Sequence, residues 1–136
     1  MQSSSLSAPS GPLASAHPSI LVVEDEFLVR LIICDELRAA EYNVIEAVNG
    51  DEAVAILKSG ARVDLIFSDV RMPGAIDGLG LLAFVRQAYP TTPVIITSGH
   101  LRPDLALADG ATQFLSKPYS IEHAIRLVES GLEKWQ

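Results

Sequence analysis

The chain has 136 residues, 49% of them hydrophobic and 20% charged, enough for one domain with a real core and too few for two comfortable ones. A net charge of -7 argues against a surface that binds nucleic-acid phosphates, and a single cysteine, Cys34, excludes an intrachain disulfide and fits a reducing compartment. No apolar run reaches the length of a membrane span and the N-terminus lacks a secretory layout, so a cytoplasmic protein is expected, with no membrane or nucleic-acid partner.

Residues 1–18, "MQSSSLSAPSGPLASAHP", are rich in Ser, Ala and Pro without an apolar period and predict a flexible tail ahead of a domain over 19–136. From Ser19 the pattern alternates. Ile20–Val23 is a short apolar strand that runs into Glu24-Asp25-Glu26. Residues 27–40 carry Leu28, Leu31, Ile32 and Leu37 at helical spacing. Asn43–Ala47 predicts a strand, Gly50–Ser59 a helix stopped by Gly60, and Val63–Ser68 a third strand. Leu79–Tyr89 is a helix closed by Pro90, Val94–Ser98 a strand, Asp104–Asp109 a short helix, Gln113–Ser116 a strand and Ser120–Lys134 the last helix. Ser120 and His123 make half of a capping box at its start.

Five strand–helix pairs in strict alternation require crossover connections, and crossovers give a parallel sheet covered on both faces. The strands are continuously apolar, as doubly covered strands are. The expected fold is a doubly wound, flavodoxin-like α/β domain with strand order 2-1-3-4-5 and five helices.

In such a sheet a ligand site lies beyond the carboxyl ends of the strands, at the switch point between the first and third. The first strand ends in Glu24-Asp25, the third in Asp69, the fourth in Ser98 and the fifth in Lys117. The marginal second strand ends in Ala47-Val48, with no charge. Taken singly each residue has a plain role: a lone aspartate after a strand forms a turn, an acidic run sits in solvent, and a lysine lies on the surface. Their convergence on one edge is what points to chemistry. Two like charges about 4 Å apart repel by about 4 kcal/mol at an effective dielectric of 20, so three carboxylates need a cation or a proton. An all-oxygen set suits Mg²⁺ (or Mn²⁺), which takes one or two carboxylates plus a phosphate oxygen. Lysine balances the remaining charge and a hydroxyl meets an anionic oxygen, a set that fits phosphoryl transfer onto a carboxylate.

The acids in "ILVVEDE" and "LIFSDVRMPG", the hydroxyl in "PVIITSGH" and the lysine in "FLSKPY" resemble the receiver domain of two-component response regulators, over about residues 19–134. The resemblance implies that Asp69 accepts a phosphoryl group from a histidine kinase or a histidine phosphotransfer protein. It implies that Asp25 binds Mg²⁺ directly, Glu24 through water, and that the backbone carbonyl of Arg71 is a further ligand. Ser98 matches the switch hydroxyl, Lys117 the lysine that pairs with a phosphoryl oxygen, and Phe114 the switch aromatic. Lys117–Pro118 resembles the family's cis peptide. Phosphorylation is then expected to alter the fourth helix, fifth strand and fifth helix, residues 103–133, the surface for a downstream protein partner or a homodimer.

Two departures stand out. "MPGAIDG" is one residue longer than the family's "MP-x-x-DG", and Phe114 carries no phenolic hydroxyl. Arg71 and His100 flank the site and are expected to influence how water reaches a phosphoryl group. With no second domain after Gln136, the expectation is a stand-alone receiver or one cut from a hybrid histidine kinase, and not an enzyme beyond its own phosphorylation and dephosphorylation. An unphosphorylated scaffold is an alternative. A haloacid-dehalogenase-like phosphatase wants a second acid two residues after its nucleophile, where Arg71 stands, and a flavodoxin-like cofactor site is disfavoured because three acids would repel phosphate.

Overall fold

The computed structural model describes residues 17–134. The elements are β1 (Ser19–Val23), α1 (Phe27–Ala39), β2 (Asn43–Ala47), α2 (Gly50–Lys58), β3 (Leu65–Asp69), α3 (Gly78–Ala88), β4 (Val94–Ser98), α4 (Pro103–Ala108), β5 (Gln113–Ser116) and α5 (Ile121–Lys134). The five strands form one sheet in the expected order, β2-β1-β3-β4-β5, with every neighbouring pair parallel. Parallel strands expose no face to water, and β1, β3 and β4 are buried along their whole length.

Side chains alternate across the sheet. Leu21, Val23, Ile66 and Ile96 point into one core cluster, which α2 and α3 close with Val54, Leu57, Leu81, Leu82 and Val85. Ile20, Val22, Phe67 and Ile95 point into the other, which α1 and α5 close with Ile33, Leu37, Ala124 and Val128. Burying each such Leu or Ile contributes about 1.5–3 kcal/mol.

The boundaries differ from expectation at a few points. The third strand begins at Leu65, two residues later than predicted, and continues through Asp69, which pairs with Thr97. Val63 and Asp64 instead lead in, with the Asp64 carboxylate accepting from the Ser19 amide at 2.7 Å. Of the predicted tail, residues 1–16 lie outside the described residues. His17 and Pro18 are tied to the start of β2: Asn43 donates its backbone amide to the Pro18 carbonyl (3.0 Å) and its side-chain amide to that of His17 (2.9 Å). The half capping box is present, with the His123 amide donating to the Ser120 hydroxyl at 3.1 Å. At α2 a fuller version appears: Asn49 accepts from the Glu52 amide and the Glu52 carboxylate from the Val48 amide.

The predicted helix over 27–40 is present as α1, with an uneven burial of its apolar residues. Leu28, Leu31 and Ile32, read from the sequence only as apolar residues at helical spacing, are 68%, 42% and 53% exposed, and Phe27 is 62% exposed. The buried side is Ile33, Cys34 and Leu37. The helix is apolar over a wider arc than the sheet covers, so one edge of that arc is left in solvent.

Candidate functional site

Each strand end delivers its side chain to the same edge because parallel register puts all five carboxyl ends there. Asp69 closes β3 and remains in the ladder: the next amide, Val70, donates to Thr97 of β4 and also to Asp69 Oδ1 at 2.8 Å. The second carboxylate oxygen, Oδ2, accepts from Lys117 Nζ at 2.9 Å. Lys117 also reaches Glu24 Oε1 at 3.3 Å, so one ammonium spans two acids from β1 and β3. Glu24 Oε2 accepts from the Glu26 amide at 3.2 Å, which bends the acidic run around the strand end.

Glu24, Asp25 and Asp69 each offer a carboxylate oxygen within 4.8 Å of the others. Glu24 is 4% exposed and Asp69 8%, whereas Asp25 faces solvent. Burial raises the Glu24 pKa, its backbone bond to Glu26 and the nearby Lys117 oppose that, and Asp69 adds to it. Lys117 is pulled down by burial, but its bonds to Asp69 and Glu24 outweigh this and its pKa is raised. Burial, reinforced by Glu24, pushes the Tyr119 phenol up to about 12. One ammonium thus pairs with two of the three clustered carboxylates, and the all-oxygen, electron-rich set fits a hard divalent cation such as Mg²⁺.

Ser98 ends β4, with its hydroxyl accepting from the amides of His100 and Leu101, both at 3.0 Å. In this arrangement the hydroxyl organises the β4–α4 turn. Phe114 is half-buried on β5, in register with Ile96 and packed against the α2/α3 core. Lys117–Pro118 is a cis peptide, as the resemblance implied. Arg71 is exposed and lines, with Asp25, Asp69, Ser98, His100 and Lys117, an open cavity of about 760 Å³ whose apolar wall includes Val29, Ile32, Tyr119 and Ile121. All the sequence-predicted site residues except Glu24 and Phe114 border that cavity. Glu24 is buried against Lys117, and Phe114 is half-buried against the α2/α3 core.

Two contributors carried no sequence signal. Arg30, on α1, donates to the Glu24 carbonyl at 2.7 Å and to Glu46 of β2 at 3.1 Å, and so braces the acidic loop. Gly78, buried at the start of α3, lies against Asp69: a Cβ there would overlap the Asp69 carbonyl oxygen. Its amide donates to the Val70 carbonyl at 2.9 Å and closes the neck of the loop.

A doubly wound α/β domain with a carboxylate triad and a lysine at its switch point defines a narrow class. The family model for the response regulator receiver domain matches residues 20–129, and the chain belongs to that family. It is 37% identical over 120 residues to the DNA-binding transcriptional regulator NtrC of Salmonella typhimurium, covering 86% of this chain and 25% of that protein. It is likewise 37% identical over 124 residues to the sensor kinase CckA of Brucella abortus, covering 88% of this chain and 13% of the kinase. Among solved structures, the receiver domain of NtrX from Brucella abortus superposes with a TM-score of 0.78 at 32% identity, over 84% of this chain and 98% of that one. The chemotaxis protein CheY4 of Vibrio cholerae does so with a TM-score of 0.77 at 31% identity, over 85% and 99%. The chain therefore spans about a quarter of the length of its NtrC relatives.

Proposed function

We propose that this receiver domain accepts a phosphoryl group on Asp69 from a phosphohistidine of a histidine kinase or histidine phosphotransfer protein. The observation that carries the reading is the Asp69 carboxylate at the β3 end, 2.9 Å from Lys117 and within 4.8 Å of the Glu24 and Asp25 carboxylates. A carboxylate oxygen of Asp69 forms the new O–P bond as the N–P bond of the donor breaks, and the imidazole leaves with that electron pair. Lys117 is positioned to pair with a phosphoryl oxygen, and Ser98, once it releases the His100 and Leu101 amides, with another. Asp25, Asp69 and the Arg71 carbonyl would hold Mg²⁺ directly, with Glu24 behind them through water. Bound there, the ion would supply positive charge to the peripheral oxygens of the phosphoryl group as it passes to Asp69.

Asp69 lines the open cavity, one wall of which is α1, and a donor histidine entering there would pass beside that helix. Val29 and the exposed Ile32 of α1 line that cavity, and Phe27, Leu28 and Leu31 continue the exposed apolar surface of the same helix, an apolar seat for the donor protein. The domain is read as a self-phosphorylating acceptor and not as an enzyme acting on other substrates. Incubation with acetyl phosphate and Mg²⁺ followed by intact mass is expected to show the gain of one phosphoryl group, absent in Asp69→Asn and in EDTA. An unmodified wild type under those conditions, or a phosphorylated Asp69→Asn, would overturn the reading.

A further inference from the structure

We propose that Asp51, in the first turn of α2, is a positioning residue that latches the lengthened β3–α3 loop and so tunes the metal affinity of the acid cluster. The inference rests on the reading above and concerns residues that never touch the reacting atoms.

The loop is pinched at its neck, where the Gly78 amide donates to the Val70 carbonyl. Between these residues the chain makes an excursion through Arg71 to Asp77, which carries the extra residue. Its far side is Asp77, whose Oδ1 accepts from the Gly80 amide at 2.9 Å and caps α3. What fixes the middle is α2. The Ala75 amide donates to Asp51 Oδ2 at 3.1 Å. Gly74 turns under that carboxylate with φ +106°, and a Cβ on it would lie 2.5 Å from the same oxygen. Only glycine combines that backbone with that approach. Ile76 then packs over Gly50 at one end and Gly80 at the other, so that the loop crest bridges the starts of α2 and α3.

Asp51 itself sits on a braced turn, because Asn49 accepts from the Glu52 amide and Glu52 accepts from the Val48 amide. A longer loop has more conformations to lose when its carbonyl must face a metal. The latch removes many of them in advance. Groups behind a metal's ligands typically govern affinity by an order of magnitude or more when removed.

The test compares Asp51→Ala, which deletes the acceptor, with Asp51→Asn, which keeps an amide oxygen there but removes the charge. Titration calorimetry with MgCl₂ on the whole chain is expected to show affinity lowered on the order of tenfold in Asp51→Ala and within about twofold of wild type in Asp51→Asn. Phosphorylation of Asp51→Ala by acetyl phosphate should be slow at low Mg²⁺ and recover at saturating Mg²⁺. Gly74→Ala, which pushes a methyl group onto the intact carboxylate, should weaken Mg²⁺ binding as Asp51→Ala does. The inference is overturned if Asp51→Ala binds Mg²⁺ like wild type, or if Asp51→Asn is as weak as Asp51→Ala, which would make charge rather than the hydrogen bond responsible. A wild type that binds no Mg²⁺ would instead overturn the reading of the site itself.

Discussion

At the scale of single residues, the site is under-neutralised. Glu24 is the clearest case, a carboxylate at 4% exposure beside another carboxylate, with only a shared lysine opposite. Its pKa in the folded chain is raised from the ordinary 4.5, mainly by burial. The folded state therefore holds that proton to higher pH than the unfolded chain does, and stability falls as pH rises from about 4.5 through the raised value. In EDTA, Glu24→Gln should lack this slope: urea midpoints of wild type should fall relative to those of the variant between pH 4.5 and neutrality. Parallel midpoints across that range would show that Glu24 is not strained. Mg²⁺ should flatten the wild-type slope, because bound cation stabilises the ionised cluster. Glu24, Asp25, Asp69, Ser98 and Lys117 were readable from sequence since each follows directly on an apolar strand. Asp51 and Arg30 were not, because their partners lie 24 and 6 residues away on other elements and nothing local marks the pairing.

At the scale of elements, α1 shows where periodicity misleads. Spacing of apolar residues identifies a helix but not which part of a broad apolar arc the sheet will cover. Leu28 and Leu37 read alike in sequence, yet one is 68% exposed and the other fully buried. Leu37→Ala is expected to cost about 2–5 kcal/mol, against less than about 0.5 kcal/mol for Leu28→Ala. Urea denaturation of the two variants checks this, and comparable losses would mean that α1 is seated differently. The exposed edge meets the cavity at Ile32, which is why the phosphodonor is proposed to dock there. The shift of β3 by two residues has a similar origin. Val63 is apolar enough to extend a strand, but Asp64 is drawn to the Ser19 amide, and the ladder starts only after it.

At the scale of the whole molecule, β4 ends in Ser98 beside the acid cluster and the chain then turns into α4. Ser98 holds the β4–α4 turn through two amides, and a phosphoryl oxygen would compete for that same hydroxyl. Releasing it frees a turn that leads into α4, a helix of six residues whose only buried side chain is Ala106. Leu105 and Leu107 on that helix are about half exposed. So weakly anchored an element is suited to a two-state shift. Beryllofluoride with Mg²⁺, a phosphoryl mimic, should move the amide resonances of residues 99–116 in NMR spectra while those of β2 stay in place. Unmoved signals across 99–116 would rule out this route of signalling.

Local pattern in the chain is enough to read the alternation of strands and helices, hence the parallel sheet and its order, and with it the acids, hydroxyl and lysine at the carboxyl edge of the sheet. Those follow from local rules: apolar runs make strands, crossovers force parallel pairing, and strand ends meet at the switch point. Only the tertiary structure decided how the "GAIDG" turn sits. Its Gly74 and Ala75 meet Asp51 and its Ile76 meets Gly50, both on α2, while Gly78 lies against the Asp69 carbonyl. It also decided which edge of α1 stays in water. Both outcomes depend on contacts between segments far apart in the chain, where side-chain reach and available space choose among partners that local pattern leaves equivalent.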